Sequence, residues 1–423
     1  MIRPILGGLI FLATLAAIMT RPHRLNESIA AAGGAALMLV GGFVGIREAA
    51  VLLASEWNTF GFFLGLMVIS AIAEEAGVFE ALANKATLWG RGNAARLYVA
   101  IFFVGTVLSA FLSNDATALI LTPVVYAIVT RLRLPVLPFM FACTFIADTA
   151  SFVLPVSNPI NILMLHSFNS GLGVFLRYLA LPSLVAIFLN CLVFLWRFRR
   201  DLGQTYAVPE RRCLQGSDAL YLRVSSMILV LVSAGYLGAS LAGIPLSFVA
   251  LGGSIIMLAC AAALRRFHLR ALAKKVSWSL FVFVGGMFVI IRAVEDLGFT
   301  STFGKALLGM AGGHPFAAVL LVAGGTALGA NLINNVPMAL VMTSALHALP
   351  ANTPGHESLA FAAMFGADLG PNLTTVGSLA TILWLLILRR NGVEVSTREY
   401  FKLGVVFVPV LLVIGSLLIW ARL

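Results

Sequence analysis

The chain reads as a succession of apolar runs separated by short polar turns. Runs long enough to cross a bilayer as helix, about 17–25 residues, are predicted at 4–20, 28–45, 61–76, 174–196, 220–241, 245–264, 278–294 and 405–420. Between them the hydrophobic pattern is broken at four places by clusters of Asn, Asp, Ser, Thr, Gly and Pro. One break is Ser113-Asn114-Asp115-Ala116-Thr117, between apolar arms 97–112 and 118–129. Each arm is short for a crossing, which predicts a re-entrant hairpin whose polar tip stops at mid-depth. Irregular backbone is tolerated there only when buried in protein or lining a wet cavity. The matching tip is Asn334-Asn335-Val336-Pro337.

The other two breaks read as helices interrupted by Pro and Gly. One runs Asp148-Thr149-Ala150-Ser151, then Pro155-Val156-Ser157-Asn158-Pro159-Ile160-Asn161; the other is Asp368-Leu369-Gly370-Pro371-Asn372-Leu373-Thr374-Thr375-Val376-Gly377-Ser378. Proline removes an intrahelical hydrogen bond, so freed carbonyls and amides join the Asn, Ser and Thr side chains as groups able to hold a small polar solute.

These breaks recur. Gly105 through Asn114 returns as Gly325 through Asn334 (334 − 114 = 220), and Ala147 through Leu163 returns at the same offset as Ala367 through Leu383. Gly65, Glu74 and Gly77 map onto Gly286, Glu295 and Gly298 at 221 (286 − 65). The one-residue slip reads as an insertion at Pro337, and this register pairs Asp115 with Asn335. Basic residues gather in short loops, at Arg21 and Arg24, 197–212, 265–275 and 389–402, which marks those loops as cytoplasmic. Threaded that way, equivalent runs cross in opposite senses and both termini lie outside. The fold class predicted is an all-α polytopic membrane protein of two inverted repeats, each with transmembrane helices, a re-entrant hairpin and a broken helix. The first repeat spans 1–200, a cytoplasmic linker loop 201–219, and the second repeat 220–423. Folds built this way place their substrate between the repeats on interrupted helices.

Composition agrees: 60% hydrophobic, 11% charged, mean hydropathy +1.00. The net charge of +11 sits in the short loops and gives no nucleic-acid surface. The first run is read as a retained helix rather than a signal peptide, because no small-residue cleavage site follows it.

Ionisable groups inside a membrane are costly and usually functional. The candidates for proton coupling are Asp115, Asp148 and Asp368. Asp148 and Asp368 form a symmetric pair suited to a shared role or to capping the second half-helix; Asp115 stands on one side only, as a proton carrier would. The candidate substrate-binding residues are Ser113, Asn114, Asp115, Thr117, Asp148, Ser151, Ser157, Asn158, Asn161, Asn334, Asn335, Asp368, Asn372, Thr374, Thr375 and Ser378. No Arg or Lys stands at the breaks to clamp an anion. Glu74, Glu75, Glu295 and Asp296 sit at helix ends, where Arg292 can pair with Glu295 or Asp296 at helical spacing. Cysteines 143, 191, 213 and 260 and histidines 23, 166, 268, 314, 347 and 356 show no metal-ligand spacing; Cys143 reads as a small packing residue. The stretch 298–306 fails P-loop spacing and HExxH is absent, while Gly238-Ala239-Ser240-Leu241 has no intramembrane His to act as base. No enzyme, metal or cofactor is expected, and a passive channel ranks below a transporter.

With these residues in view, the chain resembles the arsenite efflux permeases of the ion transporter superfamily over nearly its full length. The resemblance is carried by 113–123, 145–151, Gly366 to Pro371 and Gly377 to Trp384. Its hairpin tips begin Ser-Asn-Asp and Asn-Asn-Val where the wider superfamily has Ser-Asn-Thr or Asn-Asn-Thr, which departs from two symmetric sodium sites. The resemblance implies export of arsenite or antimonite, as uncharged trihydroxides, in exchange for protons across a bacterial inner membrane, with an optional soluble ATPase partner. Asn, Ser, Thr and backbone groups match such a solute, which offers donors and acceptors but no charge. The nearest alternative is a sodium–proton antiporter of the same superfamily; a carboxylate symporter ranks lower.

Overall fold

The computed structural model describes residues 2–20, 26–208, 217–266, 268–350, 353, 355–375 and 377–423. Arg21, His23, Arg24, Arg211, Arg212, Cys213 and Val376 lie outside the described residues. Among those described, the regular structure is helical apart from one isolated bridge between Asn93 and Thr205. Among the described residues, eight helices are long and apolar enough to cross a membrane, including Trp57–Glu75, Leu172–Arg197, Leu246–Ala263, Trp278–Asp296 and Thr397–Trp420.

The helices come in the same order twice. Trp57–Glu75 recurs as Trp278–Asp296, Val78–Trp89 as Phe299–Gly309, Ala94–Phe111 as Pro315–Ile333, and Asn114–Arg131 as Asn335–His347. Val136–Thr149 recurs as His356–Leu369 and Pro159–Ser167 as Leu379–Arg390. The turn glycines recur too: Gly77 and Gly298 hold φ of 76° and 79°, left-handed backbone that closes one helix and opens the next.

Two crossings knit the halves together. Trp57–Glu75 packs along Leu246–Ala263, and Glu27–Val40 along Trp278–Asp296. Small residues let backbones approach where lipid supplies no hydrophobic drive. A Cβ on Gly65 would fall on the Ala250 carbonyl, and one on Gly286 would sit 2.9 Å from the Ala31 carbonyl carbon. Trp57–Glu75 and Trp278–Asp296 run in opposite senses. Glu74, near the end of the first, bonds Lys275 just before the start of the second at 3.1 Å. Arg292, near the end of the second, reaches Glu48 ahead of the first at 2.8 Å. Arg292 also meets Glu295 and Asp296 at 3.7 and 3.3 Å, as their spacing predicts.

Each half carries a hairpin and a broken helix. The first hairpin is Ala94–Phe111 and Asn114–Arg131, 18 residues in each arm. These arms are longer than the predicted 97–112 and 118–129, because Asn93 caps the first arm earlier and helix continues past 129 to Arg131. The first broken helix is Val136–Thr149, a tight turn Pro155–Ser157, then Pro159–Ser167; the second is His356–Leu369, a turn Gly370–Leu373, then Leu379–Arg390. Aromatic rings pack around the first break: Phe141 and Phe145 lie against Tyr400, and Phe145 against Phe194. Buried Trp384 gives its indole N–H to Met140 O at 2.9 Å, which satisfies its polar tip.

The hairpins correct the predicted register. Ser113 and Asn334 are the residues with positive φ that cap the second arms, with ψ of 161° and 155°. The offset at the tips is therefore 221 (334 − 113), so Asn114 corresponds to Asn335, and Asp115 to Val336 rather than Asn335. The physical reason is burial: at 221 exposed Val107 falls on exposed Leu328, whereas at 220 it would fall on buried Ala327.

Candidate functional site

The four breaks converge. The second arm of each hairpin and the second half of each broken helix begin at side-chain-capped N-termini, and three of these starts, at Asn114, Asn158 and Asn335, share one cavity. Asn114, Asp115, Asn158, Asn334 and Asn335 line one small cavity of about 30 Å³, closed on its other side by Phe63, Phe283 and Pro159. Helix N-termini carry partial positive charge. The convergence therefore favours oxygen lone pairs, and Asp115 is the aspartate that lines it.

Asp148 is buried and receives donors on both oxygens. Asn114 Nδ2 reaches Oδ1 at 3.4 Å, Ser378 Oγ lies 3.4 and 3.5 Å from the two oxygens, and Thr381 Oγ1 reaches Oδ2 at 3.3 Å. Asp368, equally buried, accepts from Asn158 Nδ2 at 2.5 Å on Oδ1. Each aspartate thus serves the start of the opposite repeat's second half-helix rather than that of its own. This corrects the simple cap read from the sequence: each first half-helix ends beside the partner break, so the nearest donors belong to the other repeat.

Asp115 takes two positions at once. It stands near the backbone amide of Ala380 at the start of Leu379–Arg390. It also lines both the small cavity and a second one of about 620 Å³. Ser113 lines the larger cavity while its Oγ caps the arm at Ala116 N, 3.2 Å. This larger cavity lies between Trp57–Glu75 and the first hairpin, and reaches Glu74, Lys274, Lys275, Arg390 and Asn391 at its mouth.

The remaining sequence-predicted residues divide by what their side chains touch. Asn334 caps its arm at Val336 N, 3.4 Å, and Asn335 N donates to Gly377 O at 3.1 Å; both face the small cavity. Thr117 is bonded to Ser113 O at 2.8 Å and Ser151 to Asp148 O at 2.7 Å. Ser157 clasps the first hairpin through Ala110 O at 3.0 Å. Asn161 Nδ2 goes to Ser151 O at 2.7 Å, and Asn372 Nδ2 to Thr149 Oγ1 at 3.1 Å. Thr374 bonds Asn331 Oδ1 at 2.6 Å, and Thr375 lies 3.5 Å from Thr397 Oγ1. None of Thr117, Ser151, Ser157, Asn161, Asn372, Thr374 and Thr375 lines either cavity; they hold the breaks in shape. Asp148, Asp368 and Ser378 likewise stand behind the cavities, joined to them through Asn114 and Asn158.

Four polar residues that are not among the candidate site residues complete this frame. Thr381 serves Asp148, and Asn331 ties the second hairpin to Gly370 O at 2.8 Å. Thr149 accepts from both Asn372 and Asn190, the latter at 2.7 Å. Thr381 was findable as the repeat partner of Asn161 (381 − 161 = 220); Asn190, alone in a long apolar helix, carried no such signal. Cys143 is buried in the core as a packing residue. Among the described residues no group of His, Cys, Asp and Glu could hold a metal.

A family model described as ArsB, arsenical pump membrane protein, matches residues 6–421. A protein of Escherichia coli named arsenical pump membrane protein is 31% identical over 97% of both chains. One of Yersinia enterocolitica with the same name is also 31% identical over the same shares, and a putative arsenical pump membrane protein of Bacillus subtilis is 27% identical over 97% of this chain and 98% of its own. Among solved structures, the Alcanivorax borkumensis YdaH transporter superposes with a TM-score of 0.58 at 15% identity, covering 91% of this chain and 86% of that one. The Neisseria gonorrhoeae MtrF structure gives 0.55 at 13%, covering 91% and 85%. These two likenesses bear on the fold alone.

Proposed function

The chain belongs to the arsenical pump membrane protein family, and from that premise we propose that it is a secondary active transporter exporting arsenite or antimonite, as neutral trihydroxides, in exchange for protons. The observation that carries this reading is Asp115. It is the carboxyl that lines both the small cavity of Asn114, Asn158, Asn334 and Asn335 and the larger cavity leading to Lys274, Lys275 and Arg390. A trihydroxide needs acceptors and donors in several directions and no counter-ion, which asparagine amides and helix N-termini supply. No basic side chain lines the small cavity.

Positive residues mark cytoplasmic loops, so the larger cavity opens inward and this state is ready to load from the cytoplasm. The antiparallel lie of Trp57–Glu75 and Trp278–Asp296 supports inverted halves, with the start of Ile2–Thr20 and Leu423 outside. The membrane is the bacterial inner membrane. Deprotonated Asp115 favours the loaded, inward-facing state; protonation from outside withdraws an acceptor, releases the solute and allows return. The proton gradient supplies the energy, and a soluble ATPase, where one is used, would dock on the basic loops.

The test is arsenite uptake into everted membrane vesicles with and without an imposed pH gradient, comparing wild type with Asp115→Asn. Gradient-driven accumulation that disappears in the variant is the expected result. Unchanged accumulation would remove Asp115 from the coupling role, and sodium exchange without arsenite transport would overturn the assignment of substrate.

A further inference from the structure

The two aspartates at the crossing are related by the repeat, yet their surroundings differ in donor count. Ser378 and Thr381 correspond to Asn158 and Asn161, both at offset 220, and Asn114 corresponds to Asn335 at 221. Asp148 keeps all three expected donors, from Ser378, Thr381 and Asn114. Asp368 keeps one. Asn158 serves Oδ1, but the Asn161 amide bonds Ser151 O, and Asn335 lines the small cavity with no side-chain hydrogen bond to Asp368. Asp368 Oδ2 is buried without a hydrogen-bond partner, and so is Asn161 Oδ1, although Asn161 and Ser151 stand close to the carboxyl.

A bare buried carboxylate oxygen loses its hydration with nothing in return, and beside a second unmatched acceptor the arrangement is short of a hydrogen atom. The second N–H of the Asn161 amide does not reach Oδ2 within hydrogen-bond geometry, and turning the amide would set its carbonyl against Ser151 O. The charged group facing Asp368 is Asp148, with Tyr400 of the last helix standing near Asp148 on the same side. No ion pair to Asp368 is formed among the described residues. Two neighbouring carboxylates in a dry core do not both ionise cheaply.

We infer that Asp368 is a proton-binding site, held as the neutral acid with its hydrogen on Oδ2, while Asp148 is the carboxylate of the pair. The acid then has a donor to offer the acceptor-rich break, and Asp148 has the three donors that a charged carboxylate requires. The proposal rests on the proton-coupled reading only for its consequence, that the core holds a proton distinct from the one exchanged at Asp115. Asp368 is a positioning residue: it touches the small cavity through Asn158, which lines it.

The experiment is infrared spectroscopy of the purified full chain in lipid at neutral pH, with no arsenical and no gradient. The carbonyl band of a protonated carboxylic acid should be present in wild type, lost in Asp368→Asn and kept in Asp148→Asn. A second variant, Asn161→Thr, places at this position the hydroxyl that Thr381 supplies to Asp148, and should weaken the band without removing the carboxyl. A band lost in Asp148→Asn instead, or unaltered in both Asp368→Asn and Asn161→Thr, overturns the assignment. Because no transport is measured, failure of arsenite uptake leaves this readout standing, and failure of the band leaves the uptake result standing.

Discussion

Asn158 reaches across the molecule to Asp368, Nδ2 to Oδ1 at 2.5 Å, joining residues 210 apart in sequence. Its repeat counterpart, Ser378 to Asp148, joins residues 230 apart at 3.4 Å. The halves are thereby locked at their breaks, and each aspartate's environment is written by the other repeat.

Removing the better-served acceptor should be costly. Asp148→Ala orphans Asn114, Ser378 and Thr381 together, and a buried donor without a partner costs about 1–3 kcal/mol. The expected loss is about 3 kcal/mol, read as a lower unfolding midpoint in detergent, with uptake abolished. Ser378→Ala removes one donor and the cap on Thr381 N, for about 1 kcal/mol. Equal loss in both variants would contradict the shared-donor geometry.

Asn331 should matter although it lines neither cavity. Its amide bonds Ala327 O and Gly370 O, both at 2.8 Å, and its carbonyl accepts Thr374. Asn331→Leu keeps the volume and removes all three, at about 1 kcal/mol each. The unfolding midpoint should drop, and Thr374→Val should add little in the double variant because the two share one bond.

The scaffold crossing can be probed at two glycines. Gly65→Ala drives a methyl into the Ala250 carbonyl, whereas Gly33→Ala meets nothing within 4 Å. The first should destabilise by about 1–3 kcal/mol through overpacking. The second should be neutral or stabilise by about 0.5–1 kcal/mol, since alanine is the better helix former. Matching midpoints for the two variants would mean that the helices at the crossing do not pack closely at Gly65.

Sidedness follows from the cavity. In a chain with its four cysteines replaced by serine, Ala116→Cys and Ile387→Cys line the large cavity. A membrane-impermeant thiol reagent should label both from the cytoplasmic face in everted vesicles. Phe168→Cys, at the far end beside His347, should label only from the outer face. Reversed labelling would turn the orientation over.

Much of this molecule is legible in one dimension. Long apolar runs, four polar breaks and their recurrence follow from hydrophobicity and proline, which act on neighbouring residues whatever the rest of the chain does. The helices Val136–Thr149 and Pro159–Ser167 end and begin where Asp148 and Asn158 predict. The register at the hairpin tips was not legible. Residue identity alone matched Asn114 to Asn334, while the backbone at Ser113 and Asn334 and the burial along both arms require the neighbouring alignment.

Residue order alone is enough to specify a helical membrane protein with two similar halves, and it marks Asp115, Asp148 and Asp368 as the carboxyls to watch. Tertiary structure alone decided what each one touches. Asp148 faces Ser378 and Thr381, Asp368 faces Asn158, and Asp115 faces the open cavity. The reason is physical: hydrophobic patterning sets which segments are buried. A hydrogen bond depends on distances of tenths of an ångström between segments some two hundred residues apart, and only packing of the two halves supplies those.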